Sequence, residues 1–383
     1  MTATSNITGK RALKSRRRKA GKHLPENRRR KRRLEAEVMN KFQEIYAMLE
    51  DEESKDIYLN RLNYLISGDF KFMKCIIDKY VRTAENMTVE EWMDTLPPEK
   101  PIILYGAGND ARVSLPYFEK DPRFMGFCDR DEEKQRSGVA GYKVINPEQL
   151  YHSDDTIVIS SHVYKNEIKK SLMEMGGVKE ERIFYLHPRM YDYTEGQYFN
   201  PGFMVFEEEE VFVDVGAYNM ATIMELQNYC KKIKKVYAFE PDPENYKNCE
   251  RILERLDVEV DLIPYGTWSK RKHLYFNALN SSTSMVAEAG EMCIEVMPID
   301  DAIDPFERVT FIKMDVEGSE LESLKGAKRT ILKDNPKLAI CIYHKPEDML
   351  TLPLYIKSLV PEYKLYLRHH SRWDNETVLY AMP

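Results

Sequence analysis

The stretch Val211-Phe212-Val213-Asp214-Val215-Gly216-Ala217-Tyr218-Asn219-Met220 decides the fold. Its first five residues form an apolar, β-branched run interrupted only by Asp214, as expected of a strand buried on both faces of a parallel sheet. Gly216 lets the backbone turn tightly before a helix. The apolar face of that helix is expected at Ile223, Leu226, Cys230 and Ile233. Strand, glycine turn and helix together open a parallel α/β unit.

The rhythm continues downstream. Val236–Glu240 reads as a second strand, followed by a helix through Ile252 and Leu256 and a third strand near Val258–Ile263. Leu274–Phe276 and Cys293–Met297 alternate like a hairpin. Phe311–Asp315 and Leu338–Tyr343 are further apolar strands, with a helix carrying Leu321, Leu324 and Ile331 between them. Tyr363–Leu367 and Thr377–Ala381 close the chain as two strands joined by a polar turn, the closing strand antiparallel.

A second, smaller unit precedes this one. Ile102–Tyr105, Phe124–Cys128, Thr156–Ser160 and Arg182–Leu186 read as strands separated by helices. Upstream, Val38, Phe42, Ile45, Leu49, Leu62, Leu65 and Ile66 recur at helical steps, and Pro97-Pro98 marks a boundary. The expected organisation is a basic disordered tail over 1–34, a helical segment over 35–97, a small Rossmann-like domain over 98–190 and the larger α/β domain over 200–383.

The chain has 383 residues and a net charge of −6, which conceals an asymmetry. Residues 1–33 hold 14 Lys/Arg against Glu26 alone, a net of +13, so the remainder carries −19. The tail reads as a solvated extension or as a contact for RNA, acidic lipid or an acidic partner. No apolar run is long enough for a membrane helix, and no apolar segment follows the basic start as in a secretory signal. The six cysteines (75, 128, 230, 249, 293, 341) form no C-x-x-C pair. Neither a disulfide framework nor a structural zinc site is expected, and a reducing cytoplasm is the expected location. The oligomeric state is not legible.

Candidate site residues follow from strand ends, where open α/β sheets bind ligands. Asp214 and Gly216 end the first strand of the larger unit. Glu240, 24 residues after Gly216, ends the second, where two acceptor oxygens can hold both hydroxyls of a ribose. Asp214 also reads as a helix cap and Glu240 as an exposed acid beside Pro241. Lys313 and Asp315 share a strand face, Glu317 and the flexible Gly318 follow, and His344 ends the next strand. These groups could share one cleft, with His344 as a base of ordinary pKa ~6.5 and Asp315 or Glu317 orienting it or holding an acceptor. The competing readings are a hydrogen-bonded strand-end histidine and helix caps. A metal on Asp315 and Glu317 lacks a third ligand at motif spacing, so none is expected. In the small unit, Gly106-x-Gly108-x-x-Ala111, with Asp129 21 residues after Gly108, matches a dinucleotide fingerprint. NAD or a nucleotide-sugar is the expected ligand there if the site is not vestigial.

Several ordered motifs carry a family resemblance. Phe212 to Tyr218 resembles the first motif of FkbM-type S-adenosylmethionine-dependent methyltransferases, and Ala238-Phe239-Glu240-Pro241 the second. Ile312-Lys313-Met314-Asp315-Val316-Glu317-Gly318-Ser319-Glu320, followed by Leu324-Lys325-Gly326-Ala327, resembles the most characteristic one. Ser281-Ser282 and Tyr343-His344-Lys345 are similar to further positions. The resemblance implies a class I methyltransferase domain: a mostly parallel Rossmann-like sheet with an antiparallel closing strand. It places Asp214, Gly216, Ala217, Tyr218, Glu240 and Asp315 at S-adenosylmethionine, with Asp214 and Gly216 by its methionine part. The candidates for the reaction, His344, Asp315, Glu317 and Lys313, rest instead on their places at or just beyond the ends of adjacent central strands. Met220 stands where the family usually has a second glycine, and a bulky side chain there would narrow the cofactor site.

The expected activity is methyl transfer to a hydroxyl of a small molecule or glycan, such as a surface polysaccharide or secondary metabolite. Two alternatives stand beside it. One is an RNA methyltransferase anchored by the basic tail, against which stand the acidic body and a tail without interleaved aromatics. The other is an idle nucleotide- or sugar-binding protein whose altered loop no longer accepts the cofactor.

Overall fold

The computed structural model describes residues 26–81, 87–174, 178–191, 194, 196–199, 202–254, 256–276, 286–287 and 292–383. The run Arg16-Arg17-Arg18-Lys19 and the pair Ser281-Ser282 lie outside the described residues. The chain divides into residues 1–47 and 48–383. A helix, Glu26–Met48, represents the first unit, so helix already covers Arg28 to Arg33, where an unstructured tail was expected. Among the described residues no helix is long and apolar enough to cross a membrane.

Among the described residues the second unit contains three sheets. Strands β1 (Ile102–Tyr105), β2 (Phe124–Cys128), β3 (Val144–Ile145), β4 (Thr156–Ile159) and β5 (Ile183–Tyr185) form a parallel sheet in the order β3-β2-β1-β4-β5. β1 and β4 are buried at every position, as apolar runs covered on both faces require. Next come β6 (Glu210–Val215), β7 (Ile233–Phe239) and β8 (Val260–Ile263). A separate four-stranded sheet follows, with β9 (Gly266–Thr267), β10 (Lys272–Phe276), β11 (Val286–Ala287) and β12 (Met292–Met297). The two strands expected as a hairpin, β10 and β12, do pair antiparallel, but β11 lies between them in sequence and pairs with the other edge of β10. The chain then returns through β13 (Phe311–Met314), β14 (Lys337–Cys341), β15 (Lys364–His369) and β16 (Thr377–Met382).

The main sheet runs β15-β16-β14-β13-β6-β7-β8. All pairs from β14 to β8 are parallel, while β16 is antiparallel to both of its neighbours. The chain progresses outward from β6 to β8 and then restarts at β13 on the other side, so the topological switch lies between β6 and β13. Phe212, Phe311, Ala339, Tyr380 and Val236 share the core on one face of this sheet.

One local expectation needs correction. The helix after β6 spans only Ala221–Leu226, and Ile233 opens β7 opposite Glu210. The three-residue step from Cys230 to Ile233 matches helical spacing by coincidence, and pairing with β6 overrides it. The helix Glu52–Ser67 packs on the edge strand β15: Leu49 bridges to Leu365, Leu367 N–H donates to Ser54 Oγ at 2.9 Å, and Arg368 pairs with Asp51 at 2.5 Å. This upstream helix thereby covers a sheet edge that would otherwise present unpaired backbone groups.

Candidate active site

The site lies at the carboxyl ends of β6, β7 and β13. The backbone after β6 is left-handed at three alternate residues: Gly216 (φ 86°), Tyr218 (φ 51°) and Met220 (φ 57°). Gly216 is required sterically, because a Cβ there would stand 2.1 Å from the Asp315 carbonyl oxygen. Met220 tolerates this conformation while its side chain is fully buried in the core beside Ala217, Ile223 and Leu226. It therefore points beneath the loop into the core rather than outward from the turn.

Glu240 follows β7 and staples this loop. Its Oε2 accepts from Tyr218 N–H at 2.8 Å and its Oε1 from Asp242 N–H at 2.9 Å. With the Asn245 side chain also hydrogen-bonded to this carboxylate, three of its four lone-pair positions are used within the protein. Burial holds the carboxyl above its usual range. Tyr218 is 63% exposed at the rim, whereas Ala217 packs its side chain into the core and can offer a ligand only backbone.

Asp214 and Lys313 are register partners on β6 and β13. Lys313 Nζ lies 3.1 Å from Asp214 Oδ1 and donates to the Gly216 carbonyl at 2.8 Å, with the Tyr198 ring 5.2 Å away. Asp214 is fully enclosed. Burial opposes a charge on Lys313, and the Asp214 and Asp315 carboxylates keep its pKa raised nonetheless. Both residues form the floor of the turn, so the structure supports neither Lys313 as a reacting group nor Asp214 as an open contact for the cofactor. The sequence signal, a lysine in a central strand, was sound, but its partner is internal.

Asp315, Glu317 and His344 do come together. His344 stands three residues past the end of β14, in the loop rather than at the strand end. Its Nε2 is 3.4 Å from Asp315 Oδ1 and 3.6 Å from Glu317 Oε2, and its Nδ1 is 2.8 Å from Glu320 Oε1. Burial would lower the imidazole pKa, but these three carboxylates override it and raise it to about 9. The expectation of an ordinary histidine base is therefore corrected: the ring is 8% exposed and faces carboxylates. Glu317 is 44% exposed and sits at φ 52°, a strained position for a non-glycine residue. Asp315, 25% exposed, accepts from Tyr198 O–H at 2.9 Å.

Sequence reading missed Tyr198 and Glu376. Tyr343 O–H donates to Glu376 Oε1 at 3.2 Å, and Gln197 donates to Oε2. Burial pushes the Glu376 carboxyl up to about 7. Both residues reach the site from segments without a motif, one before β6 and one in the turn before β16.

In the small sheet, Asp129 repeats the staple, with a decisive difference. Its Oδ2 accepts from Ala107 N–H at 2.8 Å and its Oδ1 from Asp131 N–H at 3.0 Å, while Lys134 pairs with Oδ2 at 2.9 Å. Lys134 thereby takes one of the acceptor positions on Asp129 that a ribose hydroxyl would need. Gly106 (φ 108°) packs against β4, with Ser160 O 3.3 Å from where its Cβ would lie, and Gly108 opens the helix Asn109–Phe118. This arrangement gives no support to NAD or a nucleotide-sugar.

A seven-stranded sheet with this order, one antiparallel insertion strand and an acid after its second strand defines the class I methyltransferase fold. Residues 214–370 match the methyltransferase FkbM domain. Residues 99–184 match a domain described as C2185-like, N-terminal. The hexuronic acid methyltransferase AglP of Haloferax volcanii is 30% identical over 134 residues, covering 34% of this chain and 54% of that protein. The chain thus spans about half the length of this curated relative. Among solved structures, methyltransferase FkbM from Methylobacillus flagellatus KT aligns with a TM-score of 0.43 at 21% identity, over 86% of this chain and 99% of the other. Aeropyrum pernix fibrillarin aligns at 0.30 and 11% identity, over 46% and 67%.

Proposed function

We propose that the protein is an S-adenosylmethionine-dependent O-methyltransferase acting on a hydroxyl of a glycan or a small sugar acid. The observation that carries this reading is the meeting beside the β6/β13 switch of a glycine turn, the Glu240 carboxylate that staples it, and the Asp315/Glu317 carboxylate pair. The match to a relative named for hexuronic acid methylation supports the sugar-acid acceptor. Met220 lies in the core, which removes the main reason for reading the protein as idle.

Glu240 would hold the ribose hydroxyls, and the backbone of residues 216–218 would lie along the methionine part. When bound, the cofactor supplies an electrophilic methyl group on a positively charged sulfur. Asp315, held by Tyr198, would position the acceptor hydroxyl in line with it. Glu317, the most exposed carboxylate of the cluster, would take the hydroxyl proton as the oxygen forms its bond to carbon. Lys313 would keep the turn in shape from below, and His344 would keep the carboxylates in place.

Calorimetry with S-adenosylmethionine, then label transfer to hexuronic acid and neutral oligosaccharides, tests the proposal. Glu240→Ala should weaken cofactor binding by about 1.5–3 kcal/mol. Glu317→Gln should lower kcat by roughly 10²–10⁴-fold with cofactor affinity unchanged. Folded protein that takes up no cofactor at millimolar concentration would sink the reading.

A further inference from the structure

Beneath the exit of β13, one potential ligand atom from each of Asp315, Glu320 and His344 lies within 4.8 Å of the other two. Glu320 is fully buried. Its Oε1 accepts from Val316 N–H at 3.1 Å and Gly318 N–H at 3.4 Å, whereas its Oε2 has no hydrogen-bond partner. The His344 side chain is 8% exposed, and neither ring nitrogen has a neighbour in hydrogen-bonding geometry. The 2.8 Å and 3.4 Å contacts of this ring to Glu320 and Asp315 are ion-pair distances only.

A buried carboxylate oxygen without a donor, such as Glu320 Oε2, is normally matched by a donor or a cation, and one imidazole can neutralise at most one of the carboxylates around it. Here three carboxylates, Asp315, Glu317 and Glu320, surround a single imidazole. Ligands of an octahedral ion with bonds of ~2.1 Å stand roughly 3 Å apart, so small side-chain shifts bring these groups onto one centre.

We propose that Asp315, Glu320 and His344 bind one divalent cation of the Mg²⁺/Mn²⁺ class. Two carboxylates and one imidazole suit such an ion, and the remaining positions would go to water or to acceptor oxygens. Asp315, partly exposed, connects the ion to the acceptor side. A hydroxyl sharing the ion would become more acidic, leaving Glu317 to receive its proton. Binding of the ion does not depend on the methyl-transfer reading; only its effect on an acceptor hydroxyl rests on that reading.

The test uses Mn²⁺ alone with the full chain and neither cofactor nor acceptor. Electron paramagnetic resonance should show one Mn²⁺ bound per chain, and spin-echo modulation should show a directly coordinated imidazole nitrogen. His344→Ala should abolish the nitrogen modulation and weaken binding ~10²-fold, and Asp315→Asn should weaken it ~10-fold or more. Glu208→Gln, on the surface, should leave binding within ~2-fold. No stoichiometric binding at millimolar Mn²⁺ would overturn the proposal. So would binding to the wild type without nitrogen modulation, an outcome that needs no variant to fold. Cofactor calorimetry without metal reports separately on the methyl-transfer reading.

Discussion

The carbonyl oxygen of Asp315 fills the space in which a Cβ on Gly216 would stand, at 2.1 Å. The two loops that build the site, one from β6 and one from β13, are therefore in backbone contact at the topological switch. Any side chain on Gly216 must push them apart.

Gly216→Ala should accordingly destabilise the protein by at least ~2 kcal/mol, combining left-handed strain with a backbone clash. It should also weaken cofactor binding, because the turn and Asp315 move together. Urea denaturation and calorimetry on the same sample check both effects. An alanine variant of wild-type stability would show that the loops are not in contact.

Met220→Gly separates conformation from packing. Glycine relieves about 1 kcal/mol of left-handed strain, while loss of the buried side chain costs ~2–5 kcal/mol. The net expectation is a loss of ~1–4 kcal/mol with cofactor affinity changed by less than about threefold. A variant that binds cofactor tenfold more tightly would mean that the methionine does narrow the site.

Lys313→Met should cost ~3–5 kcal/mol, since it leaves Asp214 charged and unpaired in the floor of the turn. The double variant Lys313→Met/Asp214→Leu should recover most of that loss, because hydrophobic replacement of a whole buried pair is often nearly neutral. If the double variant is as unstable as the single, the lysine acts mainly through its bond to the Gly216 carbonyl.

His369 and His370 make the fold acid-sensitive. Burial lowers both to about 3, aided by Arg61 for His369 and by His369 and Arg368 for His370. Their unfolded value is ~6.5, so between these limits the unfolded chain binds protons that the folded chain does not. Stability is thus complete above pH ~6.5 and falls as pH drops toward 3, by up to ~1.4 kcal/mol per pH unit for each histidine. His370 lies 2.8 Å from Tyr380 O–H and 2.5 Å from Thr194 Oγ1. His370→Gln should flatten the slope between pH 6.5 and 4 relative to wild type, as read by urea denaturation at stepped pH. An unaltered slope would refute the assignment.

The sequence by itself determined where the strands lie and which residues end them. Apolar, β-branched runs such as Val211 to Val215 are readable as buried strands, because branched side chains suit the extended backbone and every position can be covered on both faces. Gly216, Glu240, Asp315 and Glu317 were legible for the same reason: position at a strand end is a matter of counting. Only the tertiary structure decided what those side chains face. Lys313 and Asp214 are 99 residues apart and become partners through the register of β6 with β13. Glu240 and Asp129 share a motif and a backbone staple, yet Lys134 pairs with one and no cation pairs with the other among the described residues. Tyr198 and Glu376 carry no motif and enter the site through chain segments that only the packed sheet brings together. Charge pairing and burial are set by distances in space, and a strand pattern fixes those distances only after the strand order is known.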